Sequence, residues 1–99
     1  HVTAKVTMGT GSSIMMNIGD KPVLSNNGML TTICWSTENR VDYALEGAIV
    51  ACGSTIEWVK NELGFFKDVA ETEAIATSIN DNAGVYLIPA FSGLGAPHW

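Results

Sequence analysis

Short runs of apolar and β-branched residues, broken by glycine-containing turns, fill the first third of the chain. Ala4 to Met8 reads as a strand, Gly9-Thr10-Gly11 as a turn, Ser13 to Ile18 as a second strand, and Gly19-Asp20-Lys21-Pro22 as another turn. Asn26-Asn27-Gly28 is a hairpin signal, because Asn-Gly tolerates positive φ. Met29 to Trp35 follows as a third strand, rich in Thr and Ile. Strands this short, joined by tight turns, predict an antiparallel three-strand meander. Ser36 to Asp42 is polar and reads as loop, with Tyr43 to Leu45 extended.

From Gly47 the period changes. Ala48, Cys52, Ile56, Val59 and Leu63 recur every three or four residues, which predicts one face of a helix. Glu46 then sits at the helix start and Gly64 at its C-terminal cap. A second helix is predicted from Asp68 to about Ile79, with Asp68 as N-cap and Glu71 completing a capping box. After the turn at 81–84, Val85 to Ile88 reads as a short buried strand ended by Pro89, and Ala90 to Trp99 as loop. A meander, helices and a further strand together predict an α/β architecture: a mixed sheet with a helix on its face.

The chain has 99 residues, 46% hydrophobic and 15% charged, a composition that folds but forms only a modest core. So low a charged share also predicts apolar surface that meets the rest of a larger protein. Both ends read as cuts in a longer protein, with His1-Val2 as residues foreign to it. The net charge is −5 without any basic run, which disfavours nucleic acid as a partner. Cys34 and Cys52 lie in apolar contexts without a C-x-x-C, so they read as buried free thiols of a cytoplasmic protein. No apolar run approaches the ~20 residues that cross a bilayer, so no membrane role is expected.

Candidate chemistry concentrates at Gly9-Thr10-Gly11-Ser12-Ser13. Its glycines let backbone N–H groups approach an anion, and its hydroxyls add donors. It lacks the Lys of a phosphate-binding P-loop and no helix opens directly after it, so on local sequence alone a plain hairpin turn is the favoured reading. Gly53 inside the first predicted helix costs ~1 kcal/mol against alanine, which points to close approach of a ligand or of another backbone. Glu57, four residues on, shares that face. His98 is a lone histidine; Asp42 and Glu46 read as solvated or capping groups, Glu71 and Glu73 as an exposed helix face, and the four methionines as core filling. No metal site is read.

Several blocks resemble one family. Thr7-Met8-Gly9-Thr10-Gly11-Ser12-Ser13, Asn27-Gly28-Met29-Leu30-Thr31-Thr32, Tyr43-Ala44-Leu45-Glu46-Gly47 and Gly84 to Trp99 look like the start of the C-terminal domain of FGGY carbohydrate kinases, on the glycerol branch. The resemblance implies part of a ribonuclease H-like, actin-type domain over residues 1–99, with ATP and Mg²⁺ in a cleft between two lobes. It implies phosphate contacts from Gly9, Thr10 and Gly11, nucleotide contacts from Gly53 and Glu57, and a polyol contact from Ser13. Glu57 stands where the family commonly has Gln, Met8 where a tyrosine is frequent, and Ser13 where a phenylalanine often packs on the polyol. The implied reaction moves the γ-phosphoryl group of ATP to glycerol. The carboxylate base lies upstream of these residues, so the chain alone is expected to be inactive. Another polyol or sugar as acceptor, and a non-catalytic interaction module, remain alternatives. Homo-oligomerisation of the parent is compatible with the resemblance.

Overall fold

The computed structural model describes residues 3–99; the reading of His1-Val2 as foreign residues lies outside them. Its centre is an antiparallel sheet of β1 (Ala4–Met8), β2 (Ser12–Gly19), β3 (Leu30–Thr37) and β4 (Arg40–Ile49), in the order β1-β2-β4-β3. Helix α1 (Gly53–Trp58) runs on into a wider π-type turn, Val59–Leu63, and α2 spans Glu71–Thr77.

The α/β class and the antiparallel pairing hold, but the simple meander does not. β4, read as loop to Asp42, extended only over Tyr43–Leu45 and helical from Gly47, is the longest strand and lies between β2 and β3. Its register pairs Ser13 with Ala48, Met15 with Glu46 and Asn17 with Ala44 on one side, and Leu30 with Glu46 on the other. β4 misleads because Gly47 and Ala48 are small and fit the spacing of the helix that follows. In the fold, that smallness serves close approach. A Cβ on Gly47 would come within 3.0 Å of the Met29 side chain. The tight turn of the region is Glu38-Asn39, between β3 and β4, rather than a hairpin joining β2 to β3. Gly28 does adopt the positive φ expected of it, 75°.

The first helix accordingly begins at Gly53, so Gly53 is its opening residue and not its middle. Gly64 caps the turn in the left-handed conformation, as predicted. The Asp68–Glu71 pair does form, but ahead of the helix: Glu71 Oε1 accepts from the Asp68 N–H at 2.8 Å and Asp68 Oδ1 from the Ala70 N–H at 2.9 Å. α2 itself starts only at Glu71, with Ala70 as its N-cap and no side-chain cap, so the predicted N-cap and capping box are not realised.

The expected strand Val85–Ile88 is absent. The segment has no regular secondary structure and no ladder partner, and Tyr86 and Ile88 are exposed. An apolar run becomes a strand only when another strand satisfies its N–H and C=O groups, and none among the described residues does. Burial is scarce elsewhere too. Ala44 is the buried apolar residue of the described chain and no large side chain is fully covered. Met8 and Met16 are exposed rather than core, and both cysteines are half-buried free thiols.

Candidate functional site

The Gly9–Gly11 hairpin and the start of α1 form one unit. The N–H groups of Cys52 and Ser54 donate to the Thr10 carbonyl at 2.9 and 3.1 Å, and that of Gly53 to the Gly9 carbonyl at 2.8 Å. Ser54 Oγ adds a bond to the Thr10 carbonyl at 3.0 Å. The first N–H groups of a helix lack intrahelical partners; here hairpin carbonyls satisfy them, so they clamp the turn instead of facing solvent. The clamp requires glycine. A Cβ on Gly53 would sit 2.7 Å from the Gly9 carbonyl oxygen, and one on Gly11 2.6 Å from that of Ile49. Among the described residues the Thr10 and Gly11 N–H groups donate no backbone hydrogen bond, which leaves them and the Thr10 hydroxyl at the tip.

Below this tip lies an open groove of about 750 Å³, with Thr10, Gly53, Glu57, Asn61 and Thr72 in its walls. Thr10 is thus brought together with Gly53 and Glu57, which lie far from it in sequence. Glu57 Oε2 accepts an ion-pair hydrogen bond from Lys60 Nζ at 2.6 Å, so its charge is offset within the groove wall. That spacing is visible in the sequence as an i,i+3 pair, but Lys60 reads there only as part of a polar face.

Ser13 is placed elsewhere. It lies on β2, outside the groove, and its Oγ donates to Glu46 Oε1 at 2.6 Å. Glu46 is therefore not a helix-start residue but a strand side chain facing the same side of the sheet as Ser13, Asn17 and Asp42. Asp42, expected to be solvated, is only 4% exposed. Arg40 grips it with Nε at 2.7 Å and Nη2 at 3.0 Å, Asn17 Nδ2 adds 3.4 Å, and the guanidinium stacks over Trp35. The Arg40 hydrogen bonds hold the Asp42 carboxyl below the usual carboxylate range, against the cost of its desolvation, and Asp42 in turn raises Arg40.

Residues 4–99 match the C-terminal domain of the FGGY family of carbohydrate kinases. The chain belongs to that family. It is 53% identical over 95 residues to the glycerol kinase of Burkholderia multivorans and 52% identical over 96 residues to that of Symbiobacterium thermophilum, covering 96% and 97% of this chain. It spans 19% of the length of each of those relatives. A crystal structure of Plasmodium falciparum glycerol kinase with ADP superposes at a TM-score of 0.82 with 40% identity, over 97% of this chain and 19% of that one. The sheet and its helices are accordingly part of an actin- and hexokinase-type ATPase fold.

Within this FGGY domain the described residues contain no group of three or more His, Cys, Asp or Glu side chains disposed to hold a metal ion. No helix among them is long and apolar enough to cross a membrane. On the other side of α1 is a smaller apolar slot of about 170 Å³, where Trp58 meets Phe91 with ring centroids 5.7 Å apart. Two polar roles are not legible in the sequence: Ser54, whose hydroxyl joins the clamp, and Glu46, which lies on β4 beside Ser13, outside the groove, instead of at a helix start.

Proposed function

We propose that this chain is part of the C-terminal nucleotide-binding domain of an ATP-dependent carbohydrate kinase that phosphorylates glycerol to glycerol 3-phosphate in the cytoplasm. The observation that carries the reading is the clamp between hairpin and helix. It holds the Thr10 hydroxyl and the N–H groups of Thr10 and Gly11 at the head of the groove that Gly53 and Glu57 line. Such donors suit the phosphates of a nucleotide, whose charge a hairpin of backbone N–H groups can cradle without a lysine. Gly53 lets the hairpin backbone seat against the helix start, and Lys60 offsets Glu57 where an uncompensated carboxylate would repel the ligand.

Phosphoryl transfer is chiefly positioning and electrostatic stabilisation, with a carboxylate accepting the acceptor hydroxyl's proton. In this reading the chain's residues orient the phosphates, Ser13 contributes to the acceptor side, and the base comes from outside the chain. Mg²⁺ bound to the nucleotide would neutralise phosphate charge; the described residues form no donor set of their own for it. Support for the glycerol acceptor is the identity to glycerol kinases. A longer polyol or a sugar is the second reading, favoured by the hydrogen-bonded Ser13 and Glu46 on the sheet face.

The test is ATP-dependent turnover of a polyol panel by the full-length parent. Glycerol is expected to give the highest kcat/KM, and a strong preference for a pentulose would displace it. Thr10→Ala should raise the ATP KM or lower kcat by roughly tenfold, the order expected for losing a hydrogen bond to a charged group. Its thermal midpoint should stay unchanged, because the clamp uses the Thr10 carbonyl and not its hydroxyl.

A further inference from the structure

The two faces of the sheet differ. One carries Val6, Met8, Ile14, Met16, Leu45 and Ile49; the other carries the polar side chains of Ser13, Asn17, Asp42 and Glu46, interleaved with Met15, Ala44, Ala48 and Leu30. Two carboxylates thus sit on the polar face, and they are satisfied differently. Asp42 is fully engaged by Arg40 and Asn17. Glu46 is half-buried, has no Lys or Arg at ion-pair distance among the described residues, and is bonded by a side chain only at Oε1, from Ser13. An ionised carboxylate accepts about four hydrogen bonds. Oε2 has no protein partner among the described residues and still reaches solvent, so it has capacity for a hydroxyl.

Its location matches an acceptor. Ser13 is three residues beyond Thr10 along the chain, and strands advance about 3.3 Å per residue. Because the turn is tighter than a strand, the Ser13 backbone lies at most about 10 Å from Thr10, within reach of a small polyol bound next to a phosphoryl group at the tip.

We infer that Glu46, oriented by the Ser13 hydroxyl, is a specificity-determining contact for the acceptor: Oε2 accepts a hydrogen bond from a hydroxyl of the polyol other than the one phosphorylated. This rests on the kinase reading above. Ser13 is the positioning residue, since its bond engages Oε1 and leaves Oε2 without a protein partner. A carboxylate recognises hydroxyls by accepting from them, and a charged acceptor makes the stronger hydrogen bond.

The experiment uses the full-length parent, with glycerol and with propane-1,3-diol, which lacks the central hydroxyl, and propane-1,2-diol, which lacks a terminal one. Glu46→Gln keeps the side chain's shape and an oxygen for Ser13 while removing the charge. It should raise the glycerol KM by about tenfold or more, with the ATP KM and the thermal midpoint unchanged. For the diol that lacks the contacted hydroxyl the same substitution should cost little. Ser13→Ala is the second arm and should raise the glycerol KM by a smaller factor. An active wild type whose Glu46→Gln variant keeps its glycerol KM overturns this assignment and leaves the kinase reading intact. So does a variant that raises ATP and glycerol KM alike, or that loses the same factor with both diols as with glycerol. A wild type that phosphorylates no polyol overturns both.

Discussion

Asp42 shows how a neighbour two positions away changes a residue's meaning. Along a strand, side chains at i and i+2 share a face, so Arg40 and Asp42 meet as soon as the segment is β. Read as loop, the same pair is two solvated charges. Because the folded carboxyl lies below its ordinary value, the carboxylate stabilises the fold above about pH 4, and this contribution is lost as the pH falls through the depressed folded value. Carbon-13 NMR of the parent should give an Asp42 midpoint below the ordinary carboxylate range. Arg40→Gln should return it upward, because the Arg40 hydrogen bond is the main cause of the shift. An unchanged midpoint in that variant would show that Asn17 or the backbone holds the carboxylate instead.

Between elements, the clamp of hairpin on helix is the interaction that places the candidate site. Its bonds are all to backbone carbonyls, so the turn is held whichever side chain occupies position 10. Gly53 is the sensitive point. Gly53→Ala drives a Cβ against the Gly9 carbonyl, and both partners are backbone. Overpacking of this kind costs about 1–3 kcal/mol. The parent's thermal midpoint should fall and its ATP KM rise together, in contrast to Thr10→Ala, which should affect only the kinetics. An alanine variant with wild-type stability would mean that α1 can shift away from the hairpin. The glycines themselves were legible in the sequence as turn and helix positions. That Gly53 opens the helix and meets Gly9 was not, since the contact joins residues 44 apart in the chain.

The molecule as a unit is drawn out, 51 × 25 × 24 Å with a radius of gyration of 17.5 Å. A compact domain of about 100 residues has a radius near 13 Å. Val6, Met8, Tyr86, Ile88 and Phe91 stand exposed, and the apolar sheet face lacks a cover among the described residues. The hydrophobic term scales with apolar area removed from water, at roughly 25 cal/mol per Å², so a chain that leaves this much outside has little with which to oppose its conformational entropy. Expressed alone, residues 1–99 should bind a dye for exposed apolar surface and unfold in urea without a sharp transition. Coincident sigmoidal transitions by fluorescence and circular dichroism would contradict that.

Several features were settled by local chemistry and so are readable from the chain directly. β1, β2 and β3 follow from β-branched runs between turns, Gly28 and Gly64 from positions that need positive φ, and the turn ahead of α2 from the hydrogen bond between Asp68 and Glu71. The family is legible for a related reason: its hairpin, Thr10 and Gly53 stand in blocks of specific sequence. What the tertiary structure alone decided are the features in which a segment's state depends on a distant partner. Residues 40–49 become a strand because β2 and β3 flank them on both sides, overriding a helical spacing that is only a weak preference. Val85–Ile88 fails to become one because nothing pairs with it. Glu46 moves from a helix end to the polar sheet face beside Ser13 by the same logic: hydrogen-bond partners far away in sequence, and not the residue's own propensity, select the backbone state.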